Sequence, residues 1–176
     1  MRALVPLFVA LVALAGCQGG DDSASPATTA AESPPQRAAD TGRGACPLTL
    51  PNGRHPSGQS DTGSSYGNGR LWTEFWPHNV VIATDDQVAK DGTIGMKWPW
   101  WRGARGRLHV SGKRLDGPAA PLRADIPDGY GPTGFQASGL YFAKEGCWRV
   151  TARVGDATLT FVTVVLKAST YSLTMR

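Results

Sequence analysis

Apolar and polar residues alternate one by one in short runs between residues 71 and 166, and Gly, Pro, Asn and Asp cut the runs apart before any reaches helical length. A period of two marks a strand with one buried face, whereas an amphipathic helix repeats about every 3.6 residues. The alternation predicts strands at 71–76, 80–84, 93–98, 106–111, 140–143, 147–154 and 158–166. About seven short strands at this spacing predict an all-β fold, an antiparallel sandwich. Within strand 93–98, Ile94, Met96 and Trp98 share one side, as do Trp148, Val150, Ala152 and Val154 within strand 147–154. Cys147 then falls with Arg149, Thr151 and Arg153 on the opposite, wetter side.

The first residues are of another kind. Met1-Arg2 is followed by an apolar stretch to Leu14 and then by Leu14-Ala15-Gly16-Cys17. Such a segment reads as an export signal, and it is too short to cross a hydrocarbon core that needs about 20 helical residues. Over residues 1–20 it resembles the lipobox of bacterial lipoproteins. That resemblance implies a signal peptide at 1–16, acyl chains such as palmitate on Cys17, and a protein on the extracytoplasmic face of the cell membrane, in the envelope. The alternative is an ordinary secretory signal with Cys17 near its cleavage point. Two acyl chains anchor stably because each buried methylene contributes about 0.8 kcal/mol.

With Cys17 assigned to lipid, Cys46 and Cys147 remain as an even pair, and export favours a disulfide between them. The bridge closes a loop of about 100 residues, and the chain-entropy model gives it roughly 4 to 5 kcal/mol. Two free thiols acting as a redox or metal pair are the alternative, without the CxxC spacing that brings both sulfurs to one turn. If strand 147–154 carries no bulge, the bridge crosses the outside of the sheet rather than the core between sheets. Residues 17–45 hold Ala, Ser, Thr, Pro, Gly and Asp with no aromatic, a composition expected to form a disordered tether reaching on the order of 30 Å. Residues 46–176 then form one domain with 15 Lys and Arg against 10 Asp and Glu, a net +5.

The clearest fold signal lies at 139–165. A strand meets a corner at Lys144-Glu145-Gly146, runs on through 147–154, turns at Gly155-Asp156 and returns along 158–165. This pattern resembles the closing strands of bacterial immunoglobulin-like surface domains, and the whole chain resembles conserved lipoproteins that carry such a domain. The resemblance implies an immunoglobulin-like sandwich and brings no activity with it, since such folds host many roles.

Candidate binding chemistry concentrates in two places. Residues 97–107 interleave Trp98, Trp100 and Trp101 with Arg102, Arg105 and Arg107, and rings beside guanidinium groups can stack sugars or bind anionic headgroups. Against this, Trp98 continues the buried face and one of Trp100 and Trp101 must point inward. Residues 125–138 form a long Gly/Pro loop with Tyr130 and Phe135, either a binding loop or a plug for the sandwich end. Arg102, Arg105, Arg107, Lys113 and Arg114 form a candidate basic strip, for which envelope polymers or lipid are expected rather than nucleic acid.

Catalytic and metal readings find less support. His55, Ser57, Ser60 and Asp61 lie in a flexible run without a Gly-x-Ser-x-Gly elbow. His55, His78 and His109 share no ligand spacing, so neither a metal nor any other cofactor is expected. Asp85-Asp86 and Asp91-Gly92 read as a turn rather than a calcium loop. The sequence therefore predicts a non-catalytic module that binds an envelope protein or polymer through Trp100, Trp101, Arg102, Arg105, Tyr130 and Phe135. Its rivals are an assembly factor for a neighbouring envelope protein, a small-ligand or metal sensor, and a hydrolase with an unrecognised site. The final residues, with Tyr171 and Leu173, allow a short edge strand.

Overall fold

The computed structural model describes residues 36–40 and 45–170, so the signal peptide expected at 1–16, the lipidation expected at Cys17 and the edge strand allowed at 171–176 lie outside the described residues. The strands are β1 (Gln36–Asp40), β2 (Ala45–Thr49), β3 (Ser65–Gly67), β4 (Leu71–Glu74), β5 (Val80–Ala83), β6 (Ile94–Arg102), β7 (His109–Arg114), β8 (Arg123–Asp125), β9 (Gly134–Phe142), β10 (Gly146–Val154) and β11 (Ala157–Lys167). They form a four-stranded sheet ordered β5-β11-β10-β7, a five-stranded sheet ordered β3-β4-β6-β9-β8, and the pair β1-β2. The fold is all-β. β1 falls within the segment whose composition suggests a tether, and it pairs antiparallel with β2.

The two larger sheets bury their inner faces against each other. Tyr66, Phe75, Phe161 and Trp98 pack in sequence with ring centroids 5.0, 5.1 and 5.4 Å apart, the outer two pairs stacked and Phe75–Phe161 tilted by 56°. Each fully buried indole N–H has an acceptor: Trp98 donates to Thr73 Oγ1 at 2.8 Å, Trp100 to Ser138 Oγ at 2.9 Å and Trp148 to the Lys144 carbonyl at 3.0 Å. An indole buried without such a partner would carry the desolvation cost of its N–H uncompensated.

Several elements depart from the sequence reading. β6 continues through Pro99 to Arg102, where the alternation alone supported a strand only to Trp98. Pairing with β4 stops at Thr73 and Trp100, so the missing N–H of Pro99 lies past the end of that ladder. β9 begins at Gly134 rather than Leu140 and pairs with β6 along its whole length. Phe135 therefore sits on a strand, not in a loop. β5 runs parallel to β11, so the sandwich is not purely antiparallel. The hairpin at Gly155-Asp156 is as expected, with Val154 opposite Ala157 and Gly155 at φ +56°.

Cys46 and Cys147 are joined by a disulfide with Cα atoms 5.6 Å apart. Cys147 does lie on the face away from the core, but that face is not wet. β2 covers it, and Leu48, Val162, Val164 and both cysteines make a second buried cluster. Asn79 pins β2 further, its Nδ2 donating to the carbonyls of Thr49 and Val162 at 2.8 and 2.7 Å. At one end of the sandwich Arg70 grips Asp156 with two bonds of 2.7 Å, and these bonds hold the Asp156 carboxyl below its ordinary pKa.

Candidate functional site

The outward residues of the five-stranded sheet form a row at one register: Gly67 of β3 lies opposite Trp72 of β4, Trp72 opposite Trp101 of β6, and Trp101 opposite Phe135 of β9. Trp101 meets Phe135 edge-on at 5.4 Å, and Tyr130, in the loop ahead of β9, meets Phe135 at 6.3 Å. Phe135 is 49% exposed and Tyr130 39%. Trp72 lies against the backbone of two glycines, for a Cβ on Gly67 would come within 2.0 Å of Trp72 Cδ1 and one on Gly103 within 2.9 Å of Cζ3. An aromatic ring laid over a strand glycine shields backbone that has no side chain of its own.

Along the same face toward β8, Tyr141 covers Gly95 and Gly139, and the Arg123 guanidinium sits 3.7 Å above its ring centre. That ring face is already occupied, whereas Phe135 and Tyr130 keep free surface.

Of the six residues expected to bind, the structure brings Trp101, Phe135 and Tyr130 together and removes two others. Trp100 is fully buried in the core, because inward positions on β6 run Trp98, Trp100, Arg102 once the strand continues past Pro99. Arg102 is only 5% exposed and points inward, so it is not a surface cation. Its guanidinium donates to the carbonyls of Gly106 and Gly131, tying together the loops on either side of the sandwich end. Arg105 is exposed in the loop after β6. The basic strip is thereby broken, and Arg114 is spent in a mostly buried pair with Asp116 at 2.7 Å.

Beside Tyr130 the 126–132 loop borders an open surface recess of about 380 Å³, with Arg102 and Gln136 among its lining residues together with Arg107, Leu108, Ile126 and Asp128. Trp72 was not singled out by sequence. The signal that finds it is its place just after the hairpin turn at Gly69-Arg70, where Gly69 takes φ +90° and Asn68 Oδ1 accepts from the Arg70 and Leu71 N–H groups. His55 Nδ1 bonds the Gly53 carbonyl at 2.9 Å rather than a serine hydroxyl. Asp85, Asp86 and Gln87 form a tight turn capped by Thr84, and Asp91 accepts from the Thr93 N–H at 3.0 Å, which keeps its carboxyl ionised below the ordinary range. No group of three or more His, Cys, Asp or Glu is gathered among the described residues, and no helix there is long and apolar enough to cross a membrane.

No protein-family model matches the chain, and no curated protein or solved structure is significantly similar to it. What the site can do is read from its own residues: rings that stack, an exposed arginine, and a recess with buried hydrogen-bonding groups.

Proposed function

We propose that this chain is a lipid-anchored protein of the cell envelope, an immunoglobulin-like module held through Cys17 at the extracytoplasmic face of the membrane, which binds an envelope polymer and catalyses no reaction on it. The observation that carries the reading is the single-register row of Trp72, Trp101 and Phe135 leading to Tyr130. Rings held on strands are ordered before any ligand arrives, which lowers the entropic cost of binding. An exposed aromatic patch rimmed by polar residues is a common mark of an interaction surface. The closing β9–β10–β11 stretch, with its corner and two-residue hairpin, supports the immunoglobulin-like assignment.

Sedimentation of the purified full-length protein with insoluble cell-wall polymer tests this. Wild type is expected to pellet and the double variant Trp101→Ala, Phe135→Ala to stay in solution; equal pelleting of the two would overturn the reading. The anchor fails separately if fatty-acid labelling survives Cys17→Ser.

A second reading, an assembly factor for a neighbouring protein, is favoured by the exposed Ile82 on the edge strand β5 and the exposed Trp76 ahead of it. It expects Trp76→Ala with Ile82→Ser to abolish a specific cross-link while leaving polymer binding intact.

A further inference from the structure

Among the described residues the two larger sheets have four edge strands, β5, β7, β3 and β8, and an edge strand left bare is a template for pairing with another chain. Three of the four are guarded. Asn52 covers β3, its Oδ1 accepting from the Gly67 N–H at 3.1 Å and its Nδ2 donating to the Gly67 carbonyl at 2.8 Å. β8 is three residues long and carries exposed Arg123 and Asp125. β7 bears exposed His109 and Lys113, and its Gly112 carbonyl accepts from the Leu122 N–H at 3.0 Å. β5 has none of this protection. It reads Val80-Val81-Ile82-Ala83, without a charge, and among the described residues a strand lies on one side of it alone, β11. Its outward residues are Val80, half-buried, and Ile82, 39% exposed, with the half-buried Leu166 opposite Ile82.

The chain enters β5 through a strained knuckle. His78 and Asn79, at φ +58° and +55°, both hold the left-handed conformation that residues other than glycine rarely adopt. Such strain persists where the surroundings over-determine it, and it gathers at functional surfaces. Asn79 supplies the restraint. Besides its side-chain bonds to the carbonyls of Thr49 and Val162, its N–H donates to the Trp76 carbonyl at 2.7 Å and its own carbonyl accepts from Thr163 Oγ1 at 2.9 Å. Trp76, Pro77 and His78 are thereby fixed at the surface, all three exposed, and with Val80 and Ile82 they line a cleft of about 460 Å³ beside the bare edge.

A bare strand edge is filled by another strand, and this one is complementary to itself. We propose that β5 pairs antiparallel with β5 of a second copy of this chain, joining the two four-stranded sheets about a twofold axis. With the axis at Val81, Val80 of each copy lies opposite Ile82 of the partner subunit on the same face, and that isoleucine meets the cleft. The knuckle of each copy comes alongside the Asp85–Gln87 turn of the other, which sets the His78 imidazole, a hydrogen-bond donor, against the exposed carboxylates of Asp85 and Asp86. The inference is independent of polymer binding and gives the patch that favours the assembly reading a different occupant.

Sedimentation equilibrium of the full chain tests it, with Cys17→Ser so that neither lipid nor a free thiol holds two copies together. A reversible dimer is expected, and a weak one, because four residues a side bury less than the roughly 1,200 Å² of stable specific complexes. Ile82→Lys places on β5 the kind of charge that guards the other edges, and is expected to raise the dissociation constant about tenfold or more while retaining the wild-type unfolding transition. Trp76→Ala, which leaves β5 itself unchanged, is expected to weaken the dimer as well, and Phe135→Ala to leave it intact. Amide exchange locates the contact, since Val80, Val81, Ile82 and Ala83 should gain protection as the concentration rises. A chain that stays monomeric at millimolar concentration would overturn the inference, as would a dimer indifferent to Ile82→Lys or one lost with Phe135→Ala. A monomer that cross-links to one neighbouring protein through Trp76 and Ile82 would give the edge to the assembly reading instead.

Discussion

Trp100 and Trp101 are adjacent and chemically identical, yet one fills the core and the other lies at the surface. The difference is set by strand parity, because side chains alternate across a pleated strand and Trp98 already points inward. Trp100→Ala is expected to cost about 3 to 5 kcal/mol, the range for emptying a buried aromatic site, and to strand the Ser138 hydroxyl that its indole satisfies. Trp101→Ala is expected to cost about 1 kcal/mol or less while weakening polymer binding. Denaturant unfolding of both variants checks the contrast, and a Trp101→Ala protein as unstable as Trp100→Ala would place that ring in the core as well. The sequence showed that one member of the pair had to be buried. It did not show which, because Pro99 argues for ending the strand before parity can be carried across it. The inward turn of Arg102 follows from the same extension and was hidden for the same reason, since a charged residue on a buried face is rare unless its donors find carbonyls, as they do at Gly106 and Gly131.

Strands differ in how clearly a sequence announces them. β10 and β11 were legible nearly to their ends because each alternates over many residues and a Gly-Asp turn joins them. β3 and β8 have three residues each, too few for any periodicity, and exist through pairing with β4 and β9. The early half of β9 was masked by Gly134, Ala137 and Gly139, which have low strand propensity and owe their conformation to β6. That contrast gives the glycine of β3 a specific role. Gly67 is fixed as glycine by Trp72, whose ring occupies the space a side chain would take. Gly67→Ala is expected to lift the Trp72 ring from the sheet, moving its indole N–H resonance and weakening binding on the aromatic row. The resonances of Trp98, Trp100 and Trp148 should stay in place. An unmoved Trp72 resonance would mean that the ring does not rest on Gly67.

Among the described residues two apolar regions are separately buried: the core between the sheets, and the outer cluster in which β2 covers β10 and β11 around the disulfide. Their separation decides what the bridge does. Cys46 and Cys147 are 101 residues apart, a separation for which constraint of the unfolded chain gives about 4 to 5 kcal/mol, with measured native bridges spanning roughly 2 to 5. A bridge through the central core would, when cut, expose Trp98, Trp148 and Phe161. This one would expose Leu48, Val162 and Val164, and would free β2, which is otherwise held by Asn79 and by the bond from the Val162 N–H to Thr49 Oγ1 at 2.9 Å. Changing both cysteines to serine is therefore expected to lower stability by about 2 to 5 kcal/mol and to open the molecule locally from its N-terminal side. Hydrogen exchange reads this directly: amides of β2 should lose protection well before those of β6 and β9, whose pairing faces the other core. If β6 and β9 lose protection together with β2, the two apolar regions unfold as one unit and the disulfide supports the whole sandwich rather than its outer layer.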